Sequence, residues 1–407
     1  LGRFQGTILR LGGERHLLVV GPARSGKTST VVIPTLRTWQ GSSVVLDLKG
    51  SLVAATTHLP HRYIFAPNAR RSEGINVLDA IRWNMPEEVG DTLRVAAHLA
   101  HVEVNSTSDI GQFYGREEAV VLWGALLYVG HTVTAPHMGS VLQYLSSVTK
   151  PLDALKDWQR FSHAVVQALA AHLMGLGAET VGKVWSGASG FLLPWLDPLL
   201  ARHTQQTTFP WREVQTGAGP MHLYLRLTPD DLKSRPFLLR LLMNQFLLTQ
   251  TFRPVPRAYR HRLLVCLDDM AEMGRFPLIE HIPAFYGEHG LHLMAIGQSF
   301  DQFWETFGTH FSVLDNSAAW VVFRPNSPPS AEFMARKLST TTVTERVERQ
   351  TRRWGLRQRS VGDVSVQRDL LTSGEIQQMG DRNLLICVGG VPPICGEVIR
   401  YDEEVSV

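Results

Sequence analysis

The sequence predicts an α/β protein whose mostly parallel sheet is interrupted by an inserted all-α domain. Short apolar runs alternate with helical segments over residues 1–86, and strand-like runs return after residue 206. Between them, residues 87–205 carry apolar residues at three- and four-residue spacings, which are typical of amphipathic helices. We therefore predict one α/β domain formed by residues 1–86 and 206–407, and an all-α insert at residues 87–205.

The predicted strands are short apolar runs bounded by turn residues, and the predicted helices of the insert are longer amphipathic segments. The strands are expected at residues 16–20, 43–47, 62–67, 221–227, 262–268, 291–296, 319–323 and 383–388. The helices of the insert are expected at residues 117–129, 138–148, 162–175 and 179–193. Strands that alternate with crossover helices favour parallel pairing.

The composition is that of a globular protein with more than one core. The chain has 407 residues, of which 44% are apolar and 19% are charged, and two domains are expected at this length. The net charge of +3 permits a nucleic-acid partner without indicating one. The cysteines Cys266, Cys387 and Cys395 lack the spacing of metal ligands, so we expect reduced thiols. No run of apolar residues is long enough for a transmembrane helix. Because the chain begins at Leu1 rather than Met, we interpret it as a fragment whose natural N-terminus has been removed.

A strand-turn-helix near the start carries the pattern G-x-x-x-x-G-K-[ST] of a phosphate-binding loop. The loop is Gly21-Pro22-Ala23-Arg24-Ser25-Gly26-Lys27-Thr28. Backbone N–H groups and the positive end of the following helix are expected to converge there on one anion. The residues expected to bind ATP are Gly21, Arg24, Ser25, Gly26, Lys27, Thr28 and Ser29. Lys27 is expected to reach the β- and γ-phosphates, and the Thr28 hydroxyl to hold Mg²⁺.

The second strand of such a site has to end in carboxylates, and the strand at residues 262–268 does so. Asp268 is expected to act on Mg²⁺, directly or through water, and Asp269 to orient or deprotonate the attacking water. Gln298, after the strand at 291–296, is expected to sense the γ-phosphate or to position water. The alternatives are a strand-end turn with two solvated aspartates and an ordinary strand-terminal glutamine.

One basic segment is distinct, because residues 346–359 contain six arginines and one tryptophan. Arginines with an aromatic residue among them suit a phosphate backbone and a stacked base. The candidate DNA contacts are Arg349, Arg352, Arg353, Trp354 and Arg357. The alternative is a solvated hairpin or loop that carries a charge run.

Together these motifs resemble the coupling proteins of type IV secretion and bacterial conjugation, the TraG/TraD-like branch of the FtsK/HerA motor ATPases. Five segments occur in the family's order. They are residues 21–34 with the phosphate loop and a helix proline, 45–50 (followed by 65–67 and 75–78), 267–274, 296–302 and 368–376. The phosphate loop alone is unspecific, whereas the order of all five is specific.

The resemblance implies a P-loop NTPase fold of the RecA/FtsK type and an ATPase that drives macromolecules towards a secretion channel. It also implies a homo-hexameric ring on the cytoplasmic face of the bacterial inner membrane, anchored by an N-terminal segment that this fragment lacks. The fragment alone is also compatible with a monomer. The cargo would be DNA, a secreted protein or both. The all-α insert would contact substrate and relaxosome or adaptor proteins, and the ring would contact components of the channel.

The resemblance also bears on the catalytic groups. Ring ATPases are expected to use an arginine in trans, for which Arg24, Arg275 and Arg324 are candidates. The family usually has Asp-Glu where this chain has Asp268-Asp269, and the shorter Asp269 carboxylate places fast hydrolysis in question. Two other interpretations therefore stay open: a nucleotide-gated recruitment platform with little ATPase activity, and a HerA/FtsK-like DNA translocase outside secretion.

Overall fold

A computed structural model describes residues 1–12, 15–100, 109–251, 259–276, 278–279, 282, 286–353 and 356–401. The chain divides into two compact units. The first comprises Leu1–Thr38, Asp269–Ala271 and His292–Val407, and the second comprises Trp39–Asp268 and Glu272–Leu291. Each unit is therefore assembled from segments that are distant in the sequence.

The strands of the described residues are numbered here in chain order. They are β1 (Gly2–Phe4), β2 (Thr7–Leu9), β3 (Leu17–Val20), β4 (Ser42–Leu46), β5 (Arg62–Phe65), β6 (His222–Leu225), β7 (Leu263–Leu267), β8 (Leu291–Gly297), β9 (Ala319–Phe323), β10 (Thr340–Arg353), β11 (Leu356–Asp369), β12 (Asn383–Val388) and β13 (Ile394–Glu397). All eight predicted strands are present, as β3 to β9 and β12.

The α-helices of the described residues are Ile33–Thr38, Ser51–Ala55, Glu88–Leu99, Asp109–Thr132, Met138–Ser147, Pro151–Arg160, Ala164–Gly175, Ala178–Gly190, Pro198–His203, Pro229–Ser234, Pro236–Thr251, Phe300–Phe307, Ser312–Asn316, Pro328–Leu338 and Ser373–Gln377. Shorter 3₁₀ turns lie at Val77–Ala80, Leu193–Leu196, Trp211–Glu213, Met270–Met273 and Gly287–His289. None of the described helices is long and apolar enough to cross a membrane.

In the first unit, the strands lie in the order β2-β1-β13-β12-β9-β3-β8. β3 pairs in parallel with both β8 and β9, whereas β12 pairs antiparallel with β9 and the strands beyond it are antiparallel as well. β10 and β11 form a separate antiparallel hairpin. β3 and β9 are wholly buried, as expected for parallel strands that are covered on both faces.

In the second unit, the strands lie in the order β7-β4-β6-β5 and all pairs are parallel. The α/β fold class with a mostly parallel sheet, which the sequence predicts, is confirmed. The antiparallel strands β1, β2 and β13 were not predicted. They are only three or four residues long and partly exposed, so they carry no continuous apolar run.

The described residues between 87 and 205 form helices and no strand. Their core is aromatic. Trp158 is fully buried, its indole N–H donates to the Tyr144 hydroxyl at 2.6 Å, and it packs directly on Gly124. A Cβ at Gly124 would lie 2.2 Å from the indole ring, so only glycine permits this close approach between the helices Asp109–Thr132 and Pro151–Arg160.

The compact units do not follow the predicted domain boundaries, which stay a prediction. The helical segments fall in the second unit together with strands β4 to β7. The reason is local packing, since the helix Pro236–Thr251 contacts both the helix Glu88–Leu99 and the turn Val77–Ala80. Three helices of this segment were also not predicted from the sequence: Glu88–Leu99, Pro151–Arg160 and Pro198–His203.

Candidate nucleotide site

The phosphate loop connects β3 to a π-helical turn, Thr28–Val32, which continues as the helix Ile33–Thr38. The loop curls because Arg24 (φ 64°) and Gly26 (φ 96°) both adopt left-handed backbone conformations. A left-handed backbone conformation is energetically costly for an L-residue such as arginine, and such conformations concentrate at functional loops. The local geometry therefore agrees with the turn that the sequence motif predicts.

Lys27 is directed into its own loop. Its side chain is buried, and Nζ donates to the carbonyl oxygens of Gly21 and Pro22, the latter at 3.0 Å. Both of these acceptors are neutral. An ammonium in this position can donate charge-assisted hydrogen bonds to the oxygens of a phosphate bound in the loop.

Ser25 supplies a second sign that the loop suits an anion. Its Oγ is buried and has no hydrogen-bond partner within the described residues. Buried hydroxyls are rarely left without a partner, and a phosphate oxygen bound in the loop would satisfy this one. The Thr28 hydroxyl and the Asp268 carboxylate are hard oxygen donors of the kind that Mg²⁺ prefers.

Gly21 is required where β3 enters the loop. Its N–H donates to the carbonyl of Gly297 at 3.2 Å, which joins the loop to the end of β8. A Cβ at Gly21 would lie 2.6 Å from Cβ of Phe323 and 2.9 Å from Ser25 Oγ. Any side chain there would displace either the end of β9 or the serine.

Asp269 and Gln298 meet in the first unit, which also holds the phosphate loop. Gln298 follows β8 directly, and its Nε2 donates to Asp269 Oδ1 at 3.3 Å. Asp269 is 6% exposed and has a φ of 52°, a left-handed conformation that Asp and Asn tolerate better than other side chains. The structure thus brings together Asp269 and Gln298, the two residues for which the sequence predicts a role at the attacking water.

Asp268 belongs to the second unit, at the end of β7, and it is buried. Leu267 is in register with Leu46 of β4, so Asp268 and Asp47 follow neighbouring positions of two parallel strands. Burial raises the pKa of the Cys266 thiol, and both carboxylates add to that rise. Asp47 accepts from the N–H groups of Lys49 (3.3 Å) and Val53 (2.8 Å), which gives it a capping role for the helix Ser51–Ala55.

A pocket of about 380 Å³ lies beside the phosphate loop within the first unit. Four arginines line it together with one acid, Asp381: Arg24, Arg324, Arg382 and Arg400. Arg324 pairs with Asp381 at 2.9 Å, and both side chains are exposed enough for this ion pair to contribute little stability. The surplus of positive charge beside the loop suits a polyanion such as a triphosphate.

Arg382 and Arg400 were not predicted as lining residues. The site residues were predicted from the rule that the carboxyl ends of parallel strands meet at one edge of the sheet. This rule does not apply to antiparallel strands, so it could not identify these two arginines. Since β12 runs antiparallel to β9, with Leu384 opposite Phe323, the start of β12 lies at the same edge as the end of β9. Tyr401 is joined to the loop side as well, through its N–H to Ser29 O at 3.1 Å.

The remaining candidates are placed as follows. Arg24 and Arg324 line the pocket beside the phosphate loop of the same chain. Arg275 is exposed in the second unit. The basic segment forms the distal part of the β10–β11 hairpin, where Arg349 is in register with Ser360, and Arg352 with Arg357. Trp354 lies outside the described residues, and roles in trans or on DNA stay predictions.

The sheet and the loop together define a P-loop nucleotide-binding protein. The sequence model of the family described as "Type IV secretory system Conjugative DNA transfer" matches residues 2–405. The chain therefore belongs to this family of type IV coupling proteins, as the resemblance indicated.

Named relatives agree with this assignment. The chain is 29% identical to the conjugal transfer protein TraG of Escherichia coli, over 97% of this chain and 68% of that protein. It is 24% identical to VirD4 of Agrobacterium fabrum, over 98% of this chain and 60% of that protein.

Solved structures show the same fold. The plasmid coupling protein TrwB in complex with the ATP analogue ADPNP superposes with a TM-score of 0.69 at 17% identity, covering 95% of this chain and 86% of that chain. TrwB in complex with ADP and Mg²⁺ gives a TM-score of 0.68 at 17% identity, with the same coverage.

Proposed function

We propose that this chain is the ATP-hydrolysing part of a coupling protein, which recruits a DNA–protein complex, an effector protein or both and drives it to a type IV secretion or conjugation channel. The observation that carries the proposal is the joint placement, in one compact unit, of the phosphate loop and the Asp269–Gln298 pair. An anion-binding loop with a carboxylate and an amide in the same unit is the minimum set for positioning a triphosphate and a water.

The roles follow from the chemistry of each group. Lys27 and Ser25 would bind phosphate oxygens, since the Lys27 ammonium is directed into the loop and the buried Ser25 hydroxyl has no partner among the described residues. Thr28 and Asp268 would hold Mg²⁺, which would neutralise charge on the phosphates. Asp269 would accept the proton of water, and Gln298 would hold both that carboxylate and the water in place. TrwB complexes with ADPNP and with ADP and Mg²⁺ support the choice of ligands.

The assembly and the cargo are proposed from the resemblance to the coupling-protein family. A homo-hexamer on the cytoplasmic face of the inner membrane would place an arginine of one subunit, Arg24, Arg275 or Arg324, at the site of the next. The helical segment 87–205 would contact relaxosome or adaptor proteins, and the ring would contact channel components. The names of TraG and TrwB, a conjugal transfer protein and a plasmid coupling protein, support DNA as one cargo.

The proposal is tested by measuring binding of a fluorescent ATP analogue and release of phosphate, each with and without single-stranded DNA. We expect Mg²⁺-dependent binding and a turnover that rises when DNA is added. Tight binding of the analogue with no turnover, alone or with DNA, would instead support the recruitment platform. Failure to bind any nucleotide would contradict both.

The recruitment platform is retained for one specific reason. Asp269 replaces the family's glutamate, and its carboxylate is held by Gln298 and by a left-handed backbone. A shorter, restrained carboxylate reaches an attacking water less well. The third interpretation, a translocase outside secretion, is disfavoured because the family model covers nearly the whole chain.

The basic hairpin provides a prediction for DNA binding. Replacing Arg349, Arg352, Arg353 and Arg357 with glutamine should lower DNA affinity and flatten its dependence on salt, because a protein that neutralises fewer phosphates releases fewer counterions. The slope of log K against log salt should become shallower by roughly 0.7–0.9 for each phosphate that is no longer neutralised. The measurement is fluorescence anisotropy of labelled single- and double-stranded DNA over a salt series.

The control for that experiment removes exposed cations from another surface. Lys156, Arg160 and Lys183 are exposed on helices of the 87–205 segment, and their substitution by glutamine lowers net charge without touching the hairpin. If the control flattens the salt slope as much as the hairpin variant, the hairpin is a solvated charge run. Trp354→Ala should weaken single-stranded binding more than duplex binding if the indole stacks on a base.

A further inference from the structure

Three side chains from different elements meet in the helical segment, far along the chain from the phosphate loop. They are Glu88 at the start of the helix Glu88–Leu99, His131 in the last turn of Asp109–Thr132, and His163 directly before Ala164–Gly175. His131 Nε2 lies 2.7 Å and His163 Nε2 lies 3.2 Å from the same oxygen, Glu88 Oε1. All three potential ligand atoms lie within 4.8 Å of one another.

We propose that this Glu-His-His cluster, formed by Glu88, His131 and His163, is a binding site for a zinc ion. Two imidazole nitrogens and one carboxylate oxygen are a donor set that proteins use for Zn²⁺, with a fourth position left to water. Mg²⁺ and Ca²⁺ prefer oxygen donors, so a site with two imidazoles discriminates against the ions that accompany ATP.

The surroundings of Glu88 support a ligand role. Its side chain is 5% exposed, and Oε2 accepts the N–H of Asn84 at 2.5 Å, which leaves Oε1 directed at the two histidines. Carboxylates that bind metals are commonly oriented by such hydrogen bonds.

The histidines leave one side of the cluster open. Their side chains are 24% and 20% exposed, and the rings of Trp83 and Phe161 lie 6.2 and 6.3 Å from that of His131 between ring centres. An ion can therefore enter from solvent and keep a water ligand, with two aromatic rings close to His131. Each of the three elements would then be fastened to the other two.

The ring of His163 has to change its tautomer when zinc binds. Its Nδ1 accepts the N–H of Val166 at 3.4 Å, so in the neutral ring the proton lies on Nε2 and is donated to Glu88. Zinc at Nε2 requires the other neutral tautomer, in which this single proton lies on Nδ1, and Nδ1 then gives up its long contact with the Val166 N–H. Because zinc binds only an imidazole nitrogen that carries no proton, zinc affinity should fall at acidic pH.

The experiment uses the whole chain, freed of any affinity tag and of metal, with Zn²⁺ added in competition with a chromophoric chelator. We expect one tight equivalent per chain, a rise in the thermal midpoint with zinc, and no displacement by excess Mg²⁺. Co²⁺ in place of zinc should give the visible absorption of a four-coordinate ion. His131→Ala and His163→Ala should each weaken binding by at least about tenfold.

The matched control is His172→Ala. His172 also pairs with a glutamate, Glu117, at 2.7 Å in the same helical segment, but no third ligand completes that pair among the described residues. Should His172→Ala lower zinc affinity as much as the other two, or should wild type bind zinc no better than His131→Ala, the site is refuted. If His131→Ala does not give the wild-type circular dichroism spectrum, His131→Gln, which has a side chain of similar size, is measured in its place.

Discussion

Lys27→Ala is expected to abolish nucleotide binding at ordinary ATP concentrations and, with it, turnover. Lys27 is the only lysine of the loop, and its ammonium is already directed into the space that the loop encloses, against the carbonyls of Gly21 and Pro22. Removing one partner of a buried charge-assisted contact costs about 2–5 kcal/mol, or roughly 30- to 4000-fold in affinity. Titration of a fluorescent ATP analogue gives this number directly.

The control for Lys27→Ala is Lys183→Ala, which removes an exposed lysine from the helical segment. It should change neither affinity nor turnover. Thermal unfolding of both variants separates loss of binding from loss of fold, because Lys27 also fastens the loop through its own hydrogen bonds. Undiminished nucleotide affinity in Lys27→Ala would remove the phosphate loop from the proposed site.

Asp269→Asn is expected to lower phosphate release by roughly 10²- to 10⁴-fold while leaving affinity for a non-hydrolysable ATP analogue nearly unchanged. Asparagine matches the size of aspartate, tolerates the left-handed φ of 52°, and keeps an oxygen for the Gln298 amide at 3.3 Å. The substitution therefore removes the negative charge and little else. Steady-state phosphate release and analogue binding, measured on the same preparation, check both halves of the prediction.

Asp269→Glu separates the reach of the carboxylate from its charge. The longer side chain restores the residue that is usual in the family, yet a left-handed glutamate costs stability, by about 1–2 kcal/mol. We expect a lower thermal midpoint with turnover unchanged or raised. A fall in turnover beyond about tenfold would show that the shorter Asp269 already matches its site. If Asp269→Asn hydrolyses ATP as fast as wild type, Asp269 is not the base.

The sequence predicted the parallel strands because most of them are buried on both faces and therefore consist of unbroken apolar runs, as in Leu263–Leu267 and Ala319–Phe323. Short, half-exposed strands carry no such signal, so β1, β2 and β13 were missed. Helices with mixed composition, such as Glu88–Leu99, were missed for a similar reason. The loop motif could be recognised because its glycines and lysine determine the geometry of a short, continuous segment.

Other parts of the site depend on pairings between distant segments. Arg382 reaches the pocket beside the loop because β12 runs antiparallel to β9, and Arg400 because β13 turns back antiparallel to β12. No local pattern in the sequence states these strand directions. The meeting of Glu88, His131 and His163 likewise requires three helices to pack at one point. Periodicity reports which face of an element is buried, but not which distant element covers it.

By itself, then, the sequence determined the fold class, the phosphate loop with Lys27, and the strand ends that carry Asp268, Asp269 and Gln298, because each depends on residues close together in the chain. Only the tertiary structure decided that Gln298 bonds Asp269, that arginines gather beside the loop, and that a Glu-His-His cluster forms among the helices. These features depend on which strands pair and which helices pack, and long-range contacts of that kind leave no short-range pattern.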